Sequence, residues 1–351
     1  MKQTYKLCVC GHFAFGQNKL NGQTIKTKIL TEALEKNLGE SEVMTYDTCG
    51  GVRNVFTLPV QLFKASRKSR NLIILPAYKG LRLSAFILTL LRMVGLRCKV
   101  HYVVIGAWLP SFLKQNPFLR FCVSKGIDTI YVETSTMMCA LRAQGINNVL
   151  LMPNFKPLEI VSPVLLSRSE EGQLKLCMFS RVMRQKGFGE AVQAVKHVNE
   201  RLHRNVFTLD IYGPVEKGEE AWFDELKKQF TEDIHYAGTV PYNESTQVLK
   251  NYFALLFPTL FYTEGVPGTI IDAYAAGLPV IASRWESYAD VIEEGVTGLG
   301  YEFGNTWALE ELLLEVGQRP EMINQLRMNC IKRASAFSPT SVLEILIKQL
   351  L

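Results

Sequence analysis

Short apolar runs recur along the chain, each closed by Gly, Pro or a polar residue, with helical patterns mostly between them. YKLCVCG, NLIILP, CKVHYVVIG, DTIYVE and NVLLMP precede Pro153, and LKLCMFS, FTLDIYG, IHYAG, FALLFP and LPVIAS follow it. Apolar runs of this length, bounded by turn formers, read as buried strands. Strands alternating with helices predict an α/β fold, and two successive sets predict two doubly wound parallel-sheet, Rossmann-like domains. The segment PNFKPLEIVSPVLLSRSEEG, with three prolines and a polar end, is the best linker between them. The expected boundaries are 1–155 and 156–337, with 338–351 a C-terminal helix packing back toward the first domain. No solenoid-length repeat and no low-complexity tract interrupts the pattern. Nowhere do 18 apolar residues run together, so no membrane-spanning helix is expected. The apolar run in MKQTYKLCVCGHFAFG is too short for a signal peptide and reads as the first strand.

In open α/β sheets ligands bind beyond the carboxyl ends of the strands. That rule selects the loops Gly11–Thr24, Ile105–Pro110, Glu133–Ser135, Ser180–Gly187, Gly213–Lys217, Gly238–Pro241 and Thr259–Gly268. With two such domains, these loops are expected to face one another across a cleft.

Composition changes the picture in two ways. The eight cysteines are scattered among apolar neighbours without a C-x-x-C pair, which disfavours a zinc site or a disulfide framework and fits a reducing, cytoplasmic compartment. Charge is unevenly distributed: residues 1–160 hold 21 Lys and Arg against 8 Asp and Glu, whereas residues 161–351 hold 18 against 25. A basic first half suggests an anionic partner there. Nucleic acid is a weak account of it, since no recognised nucleic-acid module accompanies the charge.

Two stretches of the second half carry chemistry. In LCMFSRVMRQKGFGEAVQAVKHV a strand ends at Ser180, a loop presents Arg181, Arg184 and Lys186, and a helix begins near Gly187–Glu190. Cations at a strand end, ahead of a helix N-terminus, make an anion site. In TLFYTEGVPGTIIDAYAAGLPVIAS the strand FALLFP releases a loop whose Gly265 and Gly268 permit close backbone approach and whose Pro267 stiffens the turn. A helix starting at Gly268 or Thr269 would aim the N–H groups of Gly268, Thr269 and Ile270 at a second anionic group such as a diphosphate. Asp272, expected in the first turn, could simply offset the helix dipole. Glu264 has no such role, and a carboxylate in a glycine-rich loop beside an anion site suits hydroxyl binding.

EGVPGTIIDAYAAGLPVIAS resembles the signature of GT-B-fold retaining glycosyltransferases of family 4: two acids separated by seven residues, a small-residue helix and a Gly-Leu-Pro-Val-Ile strand. FSRVMRQKGFGEAVQAV resembles the diphosphate loop of that family, and LLMPNFK sits where the family has its Pro-Asn-Gly entry to the second domain. The resemblance covers about 150–305. It implies a retaining, metal-independent hexosyltransferase with two facing domains, the first for acceptor and the second for nucleotide sugar, and with no cofactor, because the nucleotide sugar is a substrate. Glu264 would bind the donor sugar hydroxyls, the backbone of Gly265, Val266, Pro267, Gly268 and Thr269 would hold sugar and diphosphate, and Arg181 and Lys186 would neutralise the leaving group. Asp272 would meet the ribose, although the family usually has Glu there. Tyr212, Gly213, Thr239 and Val240 would border the base. No Asp-x-Asp triplet occurs, which argues against the metal-dependent glycosyltransferase fold.

In the first half, Gly22, Gln23 and Thr24 are expected to open a helix near the transferred phosphates or the acceptor. GHFAFG does not match G-x-G-x-x-G, so a nicotinamide site is poorly supported. Many relatives carry a histidine where Ile105 stands, and His101 reads as a packed core residue. Glu133 is expected as a free carboxylate that could orient the acceptor hydroxyl. The apolar helix in KGLRLSAFILTLLRMVGLRCK, the amphipathic LPSFLKQNPFLRFCVSKG and the basic run KASRKSR suit docking on anionic lipid. A saccharide acceptor, lipid-linked as in bacterial capsule, exopolysaccharide or O-antigen assembly, at the inner face of the cell membrane is the economical expectation. The rivals are a GT-B-fold nucleotide-sugar epimerase and a non-catalytic sugar-nucleotide-binding partner subunit.

Overall fold

The computed structural model describes residues 4–16, 22–49, 52–95, 97–163 and 172–350. The chain divides into two compact units, Met1–Pro157 with Pro339–Leu351, and Leu158–Ser338. The first unit is built from β1 (Tyr5–Gly11), α1 (Gly22–Leu38), β2 (Val43–Asp47), α2 (Val52–Lys68), β3 (Ser69–Ile74), α3 (Tyr78–Met93), β4 (Lys99–Val103), α4 (Leu109–Lys114), α5 (Pro117–Gly126), β5 (Thr129–Val132), α6 (Ser135–Arg142) and β6 (Val149–Leu151). All its strand pairs are parallel, in the order β2-β1-β3-β4-β5-β6.

Alternate side chains of a strand point to opposite faces, so each face needs its own cover. Cys8, Cys10, Leu72 and Ile74 pack under α2, α3, α5 and α6. Leu7, Val9 and Ile73 pack on the other face, against Leu30 and Leu34 of α1 and against Val342, Leu343 and Leu346. The last three belong to the C-terminal helix Pro339–Leu350, which the chain returns to this unit.

The second unit contains β7 (Leu174–Phe179), α7 (Phe188–Arg201), β8 (Phe207–Tyr212), α8 (Glu220–Lys227), β9 (Ile234–Gly238), α9 (Ser245–Leu249), β10 (Ala254–Phe257), α10 (Gly268–Ala275), β11 (Val280–Ser283), α11 (Tyr288–Val291), β12 (Gly298–Tyr301), α12 (Thr306–Gln318), α13 (Glu321–Asn324) and α14 (Arg327–Ala334). The final helix, Pro339–Leu350, is α15. Its sheet is also parallel, in the order β12-β11-β10-β7-β8-β9. Phe188, Val192 and Val195 of α7 with Leu309 and Leu313 of α12 cover one face. Ile270, Ile271 and Tyr274 of α10, with Cys330 and Ala334 of α14, cover the other.

Ten of the strands coincide with the runs read from the sequence. The two it missed, β2 and β12, each lie at one edge of their sheet, whereas the opposite edges, β6 and β9, were read. An edge strand is only half covered: β2 is buried at Val43 and intermediate elsewhere, and β12 carries two glycines among its four residues. Neither produces the continuous apolar run of an interior strand. In each sheet the chain reverses direction once, between β1 and β3 in the first unit and between β7 and β10 in the second. At such a switch point the loops leave in opposite directions and open a crevice at the strand ends.

Candidate active site

The loops after β7 and β10 meet at the switch point of the second unit. Leu260 N–H donates to Gln185 O at 2.9 Å, and the Thr259 hydroxyl approaches the same carbonyl at 3.4 Å. Arg184–Lys186 form one 3-10 turn that closes on Gly187, whose φ is +77°. A Cβ on Gly187 would lie 1.9 Å from the Pro258 carbonyl oxygen, so only glycine lets the two loops pack. Gly213 does the same between β7 and β8: its φ is +133°, and a Cβ there would meet the Ser180 carbonyl oxygen at 1.8 Å.

These loops assemble a compact polar cluster. Lys186 Nζ forms an ion pair with Glu264 Oε1, and the Thr259 hydroxyl donates to the same carboxylate oxygen at 3.1 Å. Thr259 is in turn fixed by Ser283 at the end of β11, whose hydroxyl donates to the Thr259 carbonyl at 2.6 Å. The Glu264 side chain is 12% exposed, so the pair is largely desolvated and its geometry is set before any ligand arrives. Lys186 also lies 5.7 Å from the centroid of the Phe257 ring. Sequence reading named Lys186 and Glu264 separately, and the fold joins them. Thr259 was read only as the start of the Thr259–Gly268 loop, with no role of its own, although a polar residue just beyond the carboxyl end of a buried strand is a recognisable signal.

The helix α10 begins at Gly268 with Pro267 as its N-cap and no side-chain cap. The Ile270 N–H already donates to Pro267 O at 3.1 Å, which leaves the N–H groups of Gly268 and Thr269 without an intrahelical acceptor. The Thr269 hydroxyl oxygen is buried and has no hydrogen-bond partner among the described residues. Val266 turns its side chain into the core beside α10 and so anchors the loop. Asp272 departs from expectation: it is the fifth helical residue, one turn in, and only 5% exposed. A first-turn carboxylate offsetting the dipole is therefore not what the structure contains.

Arg181 is half exposed and bonded to Glu216 at 2.6 Å, and Arg184 stacks over Trp222 at 5.5 Å while lying 3.5 Å from Glu219. Tyr212, Gly213, Thr239 and Val240 stand at the ends of β8 and β9, as the sequence placed them. The Tyr212 hydroxyl lies 2.7 Å from that of Tyr252, which donates to Asp210 at 2.6 Å. Burial, then the bond to Asp210, pushes the Tyr252 hydroxyl far above the usual phenol range, so it stays protonated and holds Tyr212 in place.

In the first unit α1 does open at Gly22. Gln23 donates to the Leu75 carbonyl at 2.8 Å, and Thr24 Oγ1 lies 2.8 Å from His12 Nδ1. Both side chains thus tie the helix start to neighbouring strand ends. Glu133 is a correction. It is not a free carboxylate but the buried partner of Lys26 at 2.6 Å, with side chains 5% (Lys26) and 3% (Glu133) exposed. Lys26 sits one turn into α1, where the sequence pattern alone gave no reason to pair it with the end of β5. Asp47, at the end of the missed strand β2, accepts from the N–H groups of Phe13, Phe15 and Cys49. Burial pushes its carboxyl up, but these backbone donors and that of Ala14 outweigh it and hold the group below the usual carboxylate range. His101 is the core residue expected, with Nδ1 3.1 Å from the Tyr131 hydroxyl and Nε2 3.2 Å from Asn71.

A family model described as glycosyl transferases group 1 matches residues 167–336, nearly the whole second unit. Those residues are therefore similar to the group 1 glycosyl transferases. The amylovoran biosynthesis glycosyltransferase AmsK of Erwinia amylovora is 26% identical over 154 residues, which cover 41% of this chain. The match spans 36% of that relative's length. HepE from Anabaena, in a crystal structure with UDP, superposes with a TM-score of 0.77 at 14% identity, covering 98% of this chain and 99% of the other. Sucrose-phosphate synthase from Thermosynechococcus elongatus gives a TM-score of 0.77 at 15% identity over 98% of both chains. The lipopolysaccharide outer core galactosyltransferase WaaB gives 0.66 at 16%, over 96% of this chain and 97% of that one. The two doubly wound units are those of the GT-B fold. In the second unit, the cluster around Glu264 and the start of α10 occupies the switch point of the sheet.

Proposed function

We propose that the protein is a retaining, metal-independent glycosyltransferase that moves a hexose from a nucleoside diphosphate sugar to a saccharide acceptor, lipid-linked, in surface-polysaccharide assembly. The observation that carries this reading is the Lys186–Glu264–Thr259 cluster beside the uncapped start of α10. A departing nucleoside diphosphate develops negative charge that preorganised cations and N–H groups stabilise without reorganising. Lys186, Arg181 and the Gly268 and Thr269 N–H groups fill that role, and the partnerless Thr269 hydroxyl adds a donor or acceptor for a phosphate oxygen. Glu264, acceptor-only when ionised, takes hydrogen bonds from the donor sugar hydroxyls. Its bond to Lys186 keeps both groups in place, and an incoming diphosphate shares the ammonium. Asp272 is assigned the ribose, and Tyr212, Gly213, Thr239 and Val240 the base. The UDP in the structure of HepE, a protein of the same fold, supports a nucleotide ligand. The AmsK likeness supports surface polysaccharide as the product class.

For the first unit we propose the acceptor and an anionic membrane surface at the cytoplasmic face. Between Asp47 and Asp128 the chain has thirteen Lys and Arg and no acid. On the sheet face covered by α2, α3 and α5, Phe56, Phe63, Phe86, Leu90 and Phe118 are exposed, and Met93 is 79% exposed. Apolar side chains ringed by cations suit the headgroup region of anionic lipid. No helix among the described residues is long and apolar enough to cross a membrane.

Transfer or donor hydrolysis with a panel of nucleotide sugars, wild type against Glu264→Ala, tests the proposal. Activity in the wild type and its loss in the variant are expected, and equal rates would remove Glu264 from the mechanism. Proton NMR of the product anomeric centre reads retention, and insensitivity to EDTA reads metal independence. Flotation with anionic vesicles at low salt tests the membrane assignment, and failure to bind would withdraw it.

A further inference from the structure

The Thr259 side chain is fully buried, at 0% exposure, so its hydroxyl reaches no ligand and acts only through its neighbours. Among the described residues the oxygen has three: the Phe261 N–H at 3.1 Å, Glu264 Oε1 at 3.1 Å and the Gln185 carbonyl at 3.4 Å. The Phe261 amide only donates, so the Thr259 oxygen accepts from it. A hydroxyl has a single proton to give. An ionised carboxylate at 3.1 Å takes that proton in preference to a neutral carbonyl at 3.4 Å, which already accepts from the Leu260 N–H. The bonds therefore run one way, from the Phe261 amide through the hydroxyl to Glu264 Oε1, and each polarises the next.

The backbone under this relay is pinned at successive residues. Ser283 donates to the Thr259 carbonyl at 2.6 Å, the Leu260 N–H donates to Gln185 O at 2.9 Å, and the Tyr262 carbonyl accepts from the Glu286 N–H at 3.1 Å. Such pinning leaves the carboxylate itself loose, because the last torsion of a glutamate joins a tetrahedral to a planar carbon and has a broad profile. Lys186 alone does not set that torsion: its ammonium is a compact charge on a flexible stem and follows the oxygen it meets. The hydroxyl of a buried threonine on a pinned backbone does not follow. With Oε1 held by both donors, the plane of the carboxylate is set, and with it the direction of Oε2.

We propose that Thr259 is a positioning residue, whose hydroxyl fixes the rotation of the Glu264 carboxylate so that this group meets the donor sugar in one orientation. The assignment rests on the sugar-binding role proposed above for Glu264. Thr259→Ser keeps the hydroxyl, and Thr259→Val replaces it with a methyl of similar shape. Both are compared with the wild type in steady-state hydrolysis of the nucleotide sugar that the wild type turns over, and in affinity for the matching nucleoside diphosphate. The diphosphate carries no sugar for Glu264 to hold, so its affinity reads the loops and the fold alone. Thr259→Val should bind the diphosphate like the wild type and lose on the order of 10–100-fold in kcat, with a smaller change in KM, because an ångström of misplacement costs about 100-fold. Thr259→Ser should stay close to the wild type in both constants. Equal kcat in Thr259→Val and the wild type would overturn the role. So would a loss of diphosphate affinity matching the loss of turnover, or a Thr259→Ser protein as slow as Thr259→Val, since either describes a residue that merely supports the loop. Crystal structures of the wild type and Thr259→Val read the carboxylate directly, and Glu264 should be turned in the variant. A turned carboxylate in a protein that hydrolyses no nucleotide sugar would keep the relay and remove the transferase reading instead. An unmoved carboxylate would overturn the proposal whatever the activity.

Discussion

Gly187→Ala isolates the contact that holds the two site loops together. The position has φ +77°, a left-handed conformation that costs an L residue about 1–2 kcal/mol. The new methyl would sit 1.9 Å from the Pro258 carbonyl oxygen, whereas real Cβ contacts stay beyond 3.0 Å. The loops after β7 and β10 must then separate by about an ångström, which breaks the Leu260 N–H to Gln185 carbonyl bond, a further ~1 kcal/mol. The expected destabilisation is about 2–3 kcal/mol. Because Lys186 and Glu264 ride on the separated loops, and a misplacement of that size costs on the order of 100-fold in rate, transfer should fall by a similar factor. Gly189→Ala is the control: it lies two residues on, inside α7, with open space around its would-be Cβ. It should match or slightly exceed wild-type stability, since alanine is favoured over glycine in a helix by about 0.5–1 kcal/mol. Urea titration and UDP affinity measure both variants. A Gly187→Ala protein with the wild-type urea midpoint and UDP affinity would refute the claim that the loops are locked by backbone contact at this residue.

Other consequences follow from buried charge and burial. Glu133→Gln leaves the Lys26 ammonium in the core without its counter-charge and should cost about 3–5 kcal/mol in urea titration, while Lys26→Met with Glu133→Leu should cost far less; a loss below 1 kcal/mol for the single variant would contradict the pairing. Burial lowers His101 from 6.5 to about 4, so the unfolded chain takes up its proton first as pH falls. The stability this group permits is complete above about pH 6.5 and declines toward pH 4, by up to about 3 kcal/mol. The slope of stability against pH across that window should flatten in His101→Gln, and identical slopes would count against it. Asp47→Ala removes the acceptor for the Phe13, Phe15 and Cys49 N–H groups and should lower the melting temperature while leaving UDP stabilisation of the second unit in place; loss of UDP response would show that the effect is not local.

Much of this protein was fixed by local pattern. The interior strands, the restart after Pro153 and the glycines at 265 and 268 are legible because each depends on a residue and its near neighbours: apolar runs for double-sided burial, glycine for close approach, proline for a fixed turn. The two acids of EGVPGTIIDAYAAGLPVIAS could be located by the same reading, but not their environments. Glu264 finds Lys186 across 78 residues and Thr259 across five, whereas Asp272 is buried one turn into α10. Two of the four edge strands, β2 and β12, escaped because their partly exposed residues and glycines form no continuous apolar run. Glu133 looked free for a different reason: its partner Lys26 is 107 residues away, and only the packing of α1 against the end of β5 brings the two together. Sequence determined which segments must be buried and where the chain must turn; the switch points of the two sheets decided which distant side chains share a site.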